Sequence, residues 1–315
     1  MSVELKEPIL VIGIGGVGSK LAEEAKKTLD SECLTISNDS TDFSAGGESI
    51  HISTKSIINP SVQLIRGSTY EAENTIKSQI TGYSAIILIS NLAGRAGSAM
   101  APAISDMCKE LGKTLISFAI MPFKFEKDRI FNSGITLKRL REKSDCTIVL
   151  DNDSLLESNP DLNIKTCYEI GNSAMMHVVK SLKTTNISEN NILTTSKDNQ
   201  GIEESLRDSL KMLYGEANPN AVKSTILYVA GGNNVPIGVI NSITKMTSGI
   251  VNESNTQVDT TSSSEKSKIV MLSSVQGMRK FDSYDPLNVI PQENQLDWST
   301  PDCSIDCKLD LYQLE

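Results

Sequence analysis

Apolar positions along the chain recur with two different periods, and the run PILVIGIGGVGSKLAEEAKK at residues 8–27 shows both. Pro8 to Ile12 are continuously apolar and rich in β-branched side chains, which predicts a strand buried on both faces. Residues 13–18 form a glycine-rich turn, and from Ser19 to Lys27 the spacing becomes helical, with Leu21 and Ala25 on one face. A second strand fits ECLTISN (32–38). A polar connection and a helix over 71–80 then lead to a third strand, SAIILIS (84–90). NLAGRAGSAM follows, with a helix expected from about Ser98 to Leu111. KTLISFAIMPF (113–123) reads as a fourth strand ended by Pro122. A helix over 136–143 and a strand CTIVLD (146–151) continue the alternation. Strands alternating with helices predict an α/β fold: a Rossmann-like, mostly parallel sheet with helices on both faces.

Residues 163–183, NIKTCYEIGNSAMMHVVKSLK, carry apolar side chains at the three-and-four spacing of one long helix. His177 falls off that stripe, which suits a solvent-side or partner-facing position. Beyond it a smaller α+β unit is expected, with a helix over 202–214, a strand over 224–232 and a helix over 236–250. Within 255–277, Val258 and Thr260 alternate on one arm and 269–275 form another. A hairpin turning at 263–266 is expected there. The last 35 or so residues have little periodicity and read as a tail. The expected divisions are 1–162, a helix at 163–183, 184–280, and a tail at 281–315.

A hydrophobic content of 39% in 315 residues supports a sizeable core. No apolar run approaches the ~18–20 residues that span a membrane, and a cytoplasmic protein without membrane insertion is expected. The formal net charge is −9 and no basic face is evident, which disfavours nucleic acid, whose phosphates need clustered cations. Cys33, Cys108, Cys146 and Cys167 sit singly in apolar segments as small hydrophobes. Cys303 and Cys307, with only His51 and His177 as histidines, do not make a zinc set, so no metal site is expected.

GIGGVGS, between a strand and a helix, carries candidate chemistry. Glycines let a backbone approach an oxygen-rich ligand, and the unpaired N–H groups and dipole of the helix that follows favour an anion. Dehydrogenases and adenylating enzymes share this arrangement. A dinucleotide site wants an acidic residue ending the second strand. Here that strand ends SNDS, with Asn38 before Asp39, and a Rossmann enzyme using NAD or ATP stays open. A second glycine-rich strand–helix turn at 93–99 could grip another part of a phosphate chain.

The order GIGGVG, SND, NLAGRAGSAMAP, MPFKFE and DNDSLL resembles the FtsZ/tubulin family of GTP-binding proteins, in particular its prokaryotic and archaeal FtsZ branch. The most specific element, PFKFE, is similar to that family's PFxFE, and the likeness runs in order from about residue 8 to 280. It implies a GTP-binding domain, a central helix and a smaller α+β domain. It also implies that Gly13, Gly15, Gly16 and Gly18, with Ser19 and Asn38, belong to the nucleotide site, and that Gly94, Gly97 and Ser98 belong to the signature loop GGGTG[ST]G. Ala93, Arg95, Ala96 and Ala99 depart from that loop. Arg95 either obstructs the backbone path, points to solvent, or pairs with a phosphate and stands in for part of a metal's charge. Glu126 matches a ribose-contacting Glu, Asn152 an Asn near base or ribose, and Arg129 lies near a family Arg. Asp161 or Asn163 could read the base only with a shift in alignment.

In the family a loop after the central helix, NxDxxD, reaches the next subunit's nucleotide and positions the attacking water. TTNISENN stands here: Asn186 matches, Ser188 and Asn191 replace the two acids, and Glu189 is one residue out of place as a candidate substitute. The resemblance therefore implies GTP or GDP binding, with Mg2+ as a candidate companion. It implies self-association or association with another FtsZ-like protein, weak or absent hydrolysis, and a role in division or cell shape. A scaffold or filament regulator that keeps the fold without nucleotide is the alternative. The tail is a candidate docking segment for a protein partner.

Overall fold

The computed structural model describes residues 2–44, 47–54, 59–185, 187–197, 201–230, 238, 241, 245, 256–261, 268–277 and 279–284. These fall into two compact units. The expected helix over 236–250 lies almost wholly outside the described residues, as do the turn at 263–266 and the tail from 285 onward.

One unit comprises Leu5–Ser117 and Asp128–Asp145. Following β1 (Ser2–Val3), which belongs to the other unit, β2 (Ile9–Ile14) is its central strand and α1 (Gly15–Leu29) follows with no intervening loop. β2 pairs in parallel with β3 (Glu32–Ser37) on one side, and β3 with β4 (Glu48–His51). α2 (Val62–Glu71) and α3 (Glu73–Ile80) lead to β5 (Ala85–Asn91), parallel to β2 on its other side. α1 forms because Leu21, Ala22, Ala25 and Leu29 recur on one buried stripe. It ends where Asp30 takes a left-handed φ of 49°.

α4 (Arg95–Glu110) carries Pro102 in its interior. Proline has no N–H, so the carbonyl four residues earlier loses its helical donor. That carbonyl is Ser98's, and Arg66 Nη2 (3.4 Å) and Thr136 Oγ1 (3.2 Å) donate to it instead. An interior proline is thus accommodated by α2 and by α5 (Lys127–Lys143), which follows β6 (Thr114–Met121).

The other unit comprises Phe118–Lys127 and Cys146–Tyr284 with the first residues of the chain. β7 (Cys146–Asp151) runs into α6 (Asn152–Ser158), and α7 (Ile164–Ser181) is the expected long helix. After it come β8 (Ile187–Ser188) and β9 (Asn190–Thr195), then α8 (Ile202–Glu216) and β10 (Val222–Ala230). β11 (Thr256–Thr261) and β12 (Lys268–Val275) complete the described strands. β9 is parallel to β7 and antiparallel to β12, β12 is antiparallel to β10, and β10 is parallel to β11. The expected hairpin is therefore corrected: its two arms both pair with β10, which lies between them. Leu206, Leu210 and Leu213 of α8 pack on Ile192, Leu227, Val229, Ile269 and Met271.

Residues 281–284, expected as the start of the tail, form with Lys280 a short 3-10 turn whose Phe281 is buried. Cys33, Cys108, Cys146 and Cys167 are buried thiols, as expected. No described helix is long and apolar enough to cross a membrane.

Candidate functional site

α1 begins at a backbone group with no side-chain cap, since Ile14 stands at its N-cap. The first N–H groups of a helix have no partner within it, so this end is open to an acceptor from outside. Gly15 holds φ +66°, a conformation costly for any other residue here, and a methyl built on it would meet only Ala96 Cβ, at 3.1 Å. Gly13 and Gly18 have a different reason: a methyl on Gly13 would lie 2.5 Å from the Gly18 carbonyl, and one on Gly18 2.5 Å from the Ile89 carbonyl. They let α1 approach β2 and β5. Ser19 is 1% exposed, and its hydroxyl makes no hydrogen bond with the described residues.

Asp42 faces this loop, a contact the sequence did not suggest. A methyl on Gly16 would lie 2.5 Å from its Oδ1, while Oδ2 accepts from Ser37 Oγ at 2.6 Å. The carboxylate sits at the electropositive end of α1, where the dipole favours it. Asn38, half-buried, has its carbonyl 3.3 Å from His51 Nε2.

The second loop closes as a turn: Gly94 N–H donates to the Asn91 carbonyl (3.1 Å) and Ala93 N–H to Asn91 Oδ1 (3.0 Å). Gly97 is needed because a methyl there would collide with the Asn91 carbonyl. Ser98 Oγ (2.5 Å) and Ser133 Oγ (2.8 Å) both donate to the Leu92 carbonyl. Ser98 thus anchors the loop, an assignment its hydrogen bond makes without any ligand. α4 starts at Arg95 over an N-cap glycine, Gly94, again with no side-chain cap. Arg95 is exposed, and no hydrogen bond or ion pair joins it to a described residue. Two uncapped helix starts, α1 and α4, therefore lie side by side. Arg129, on α5, is exposed, and its carbonyl accepts from Ser133 Oγ at 2.7 Å.

Glu126 and Asn152 belong to the other unit. Glu126 Oε2 accepts from Phe123 N–H at 3.1 Å, closing the PFKFE turn. Phe125, 59% exposed, stacks on Phe123 with ring centroids 5.0 Å apart. Asn152 is 2% exposed; its Nδ2 donates to the Met121 carbonyl (3.4 Å), and its Oδ1 has no hydrogen-bond donor among the described residues. Asn163 caps α7, accepting from Thr166 N–H at 2.9 Å, and Asp161 is exposed.

A buried ionic cluster in the same unit went unread in the sequence, because its members are far apart in the chain. Lys280 Nζ lies 2.5 Å from Asp151 Oδ2, 3.0 Å from Ser154 Oγ and 3.4 Å from Glu216 Oε1. Ser154 Oγ also bonds both carboxylates. Burial pushes Glu216 well above the ordinary carboxyl range, and the charge of Asp151 beside it adds to this. Burial alone would raise Asp151 too, but hydrogen bonding to Glu216 and the Lys280 ammonium outweigh it and hold its carboxyl low. The two carboxyl groups thus shift in opposite directions beside one ammonium.

The segment expected as an inter-subunit loop is strand. Asn186 lies outside the described residues. Ser188 ends β8, which pairs with β1. Glu189 is exposed, and its carbonyl accepts from Thr147 N–H at 2.7 Å. Asn191 opens into β9 and is 3% exposed, its Nδ2 donating to the Ser188 carbonyl (2.6 Å) and Cys146 Sγ (3.4 Å). Loop character is lost because buried Ile187 and Ile192 each sit in a strand that finds a partner, β8 with β1 and β9 with β7 and β12.

The model of the tubulin/FtsZ family GTPase domain matches residues 63–160. Cell division protein FtsZ 1 of Pyrococcus abyssi is 27% identical over 252 residues, covering 72% of this chain and 65% of that protein. Over these residues the chain is similar to the tubulin/FtsZ family. It spans about 65% of the length of that Pyrococcus relative. Two solved structures share the fold. An empty FtsZ dimer from M. jannaschii superposes with TM-score 0.68 at 17% identity, covering 89% of this chain and 91% of that one. GDP-bound CetZ1 from Haloferax volcanii gives 0.65 at 13%, covering 89% and 98%. The FtsZ/tubulin fold read from the sequence is thereby shown.

Proposed function

We propose that this chain binds a guanine nucleotide, GTP or GDP, with its phosphates at the adjoining starts of α1 and α4. It self-associates or joins another FtsZ-like protein as a cytoplasmic cytoskeletal element of division or cell shape, and it hydrolyses GTP slowly or not at all. The observation that carries this is the pair of uncapped helix N-termini side by side, with Gly15 in its left-handed turn leaving the backbone bare. The likeness to the tubulin/FtsZ GTPase domain suggests the ligand class, and the GDP-bound CetZ1 is a fold neighbour that holds such a ligand. Slow hydrolysis follows from the segment after α7: Ser188 and Asn191 cannot take a proton from water at neutral pH, and both are built into strands.

Titration of the purified protein with fluorescent GTP, competed by GTP, GDP, ATP and NAD, tests the binding. Displacement by GTP and GDP alone is expected; displacement by ATP or NAD in preference would return the chain to the Rossmann enzymes. Phosphate release well below ~1 s−1, the lower end of ordinary turnover, is expected alongside sedimentation of assembled protein. Sedimentation with no nucleotide bound would favour a scaffold that has kept the fold alone.

A further inference from the structure

A cation at the first position of a helix is at the wrong end of the dipole, where anions are favoured by about 0.3–1 kcal/mol. Arg95 stands there on α4, exposed, over an uncapped glycine, with no carboxylate of the described residues paired to it. At the adjoining start of α1 the arrangement is the opposite: Asp42, fixed by Ser37, lies against Gly16. The two helix starts are thus unequal. One already has a negative neighbour; the other adds a guanidinium to a positive helix end and is left wanting an anion. Gly94 and Gly97 keep the backbone path of the loop, so Arg95 extends from an intact turn and does not distort it.

We infer that Arg95 contacts the terminal phosphates of the bound nucleotide and supplies there part of the charge neutralisation otherwise left to a divalent cation. This rests on the nucleotide-binding proposal above. A guanidinium is always protonated and presents a planar fork matched to two phosphate oxygens, so it can do this as a fixed side chain. A magnesium ion at such a site keeps several waters and leans on phosphate oxygens and one or two carboxylates. Asp42, beside Gly16, is a carboxylate that could serve it, and one of its oxygens accepts from Ser37. Asp42 also opposes incoming phosphate, which gives the guanidinium a charge to offset.

The test is a binding cycle on the full chain, with affinities for GTP, GDP and GMP measured by calorimetry in Mg2+ and in EDTA for wild type, Arg95→Ala and Arg95→Lys. A charge-assisted pair of this kind corresponds to about tenfold or more in affinity. Arg95→Ala is expected to lose that much for GTP in EDTA, less in Mg2+, and little for GMP, with Arg95→Lys partly restoring it. Asp42→Asn is expected to tighten GTP binding. Equal affinity of Arg95→Ala and wild type in EDTA overturns the inference. So does a loss that is the same for all three nucleotides and indifferent to Mg2+, which would make Arg95 part of the loop's structure only. In both cases wild-type binding leaves the nucleotide proposal standing. No binding of any guanine nucleotide by wild type overturns both.

Discussion

At the scale of single residues, the two glycine loops divide into positions kept for packing and positions facing outward. Gly97 belongs to the first kind: Gly97→Ala sets a methyl against the Asn91 carbonyl, and overpacking of this kind costs about 1–3 kcal/mol. A lowered urea midpoint should appear, with the α4 loop loosened in hydrogen exchange; an unchanged midpoint would show that the turn can open at no cost. The Asp151–Glu216–Lys280 cluster makes a second prediction. Glu216 is raised by burial and by Asp151, so its contribution to stability is present below the ordinary carboxyl pKa and is lost as pH rises through its folded value. Asp151 is lowered, so its contribution is present above the ordinary value and is lost as pH falls through its folded one. Glu216→Gln should flatten the alkaline limb of the stability profile and leave the acid limb. Lys280→Met, by leaving buried carboxylates without their cation, should destabilise the protein by about 3–5 kcal/mol. Chemical denaturation across pH checks both, and an alkaline limb unchanged by Glu216→Gln would remove Glu216 as its source. The glycine loops and PFKFE stand out in the sequence because each is a local pattern. Asp42, Ser133, Thr136, Arg66 and Lys280 do not, because folding brings them to their partners from 26 residues (Asp42 to Gly16) to 129 residues away.

Elements were legible where one period dominated. The buried strands β2, β5 and β7 and the helix α7 came directly from runs and stripes. α2 was missed because VQLIRGSTYE is weakly apolar; only Ile65, Arg66 and Thr69 are buried. The hairpin reading failed for a different reason. Alternation says that a segment is a strand but not which strand it pairs with, and β11 and β12 both chose β10. Inserting Pro102 into α4 left no trace in periodicity, yet it reorganises the hydrogen bonds of the loop. Thr136→Val should cost about 1 kcal/mol by weakening support for the Ser98 carbonyl. Pro102→Ala, which restores a helical donor, should reduce that cost in the double mutant. Additive effects of the two substitutions would mean that the proline and the threonine do not share the carbonyl.

For the whole molecule, the fold stands on the superposed FtsZ and CetZ structures, and the family likeness on the match over residues 63–160 and the archaeal FtsZ relatives. The sequence had both within reach because the phosphate loops and PFKFE are short, ordered motifs. It could not show that the segment after α7 is strand, since TTNISENN suits a loop and a strand equally until β7, β12 and β1 are there to pair with it. On the proposed reading that difference separates binding from hydrolysis: the starts of α1 and α4 are uncapped, while Ser188 and Asn191, which replace the two acids, are held in sheet. Restoring acids at both positions, Ser188→Asp with Asn191→Asp, should not raise GTP turnover and should destabilise the protein, because Asn191 is buried. A rise in phosphate release would show that the segment reaches a nucleotide after all.

Amide hydrogen exchange followed by mass spectrometry, with and without saturating GDP, tests the central claim most directly. If phosphates sit on the starts of α1 and α4, protection should concentrate in residues 15–18 and 95–97, the first residues of the two helices, whose N–H groups would gain acceptors. Protection confined to other segments, or none in these two loops while GDP is demonstrably bound, would contradict the placement of the nucleotide there.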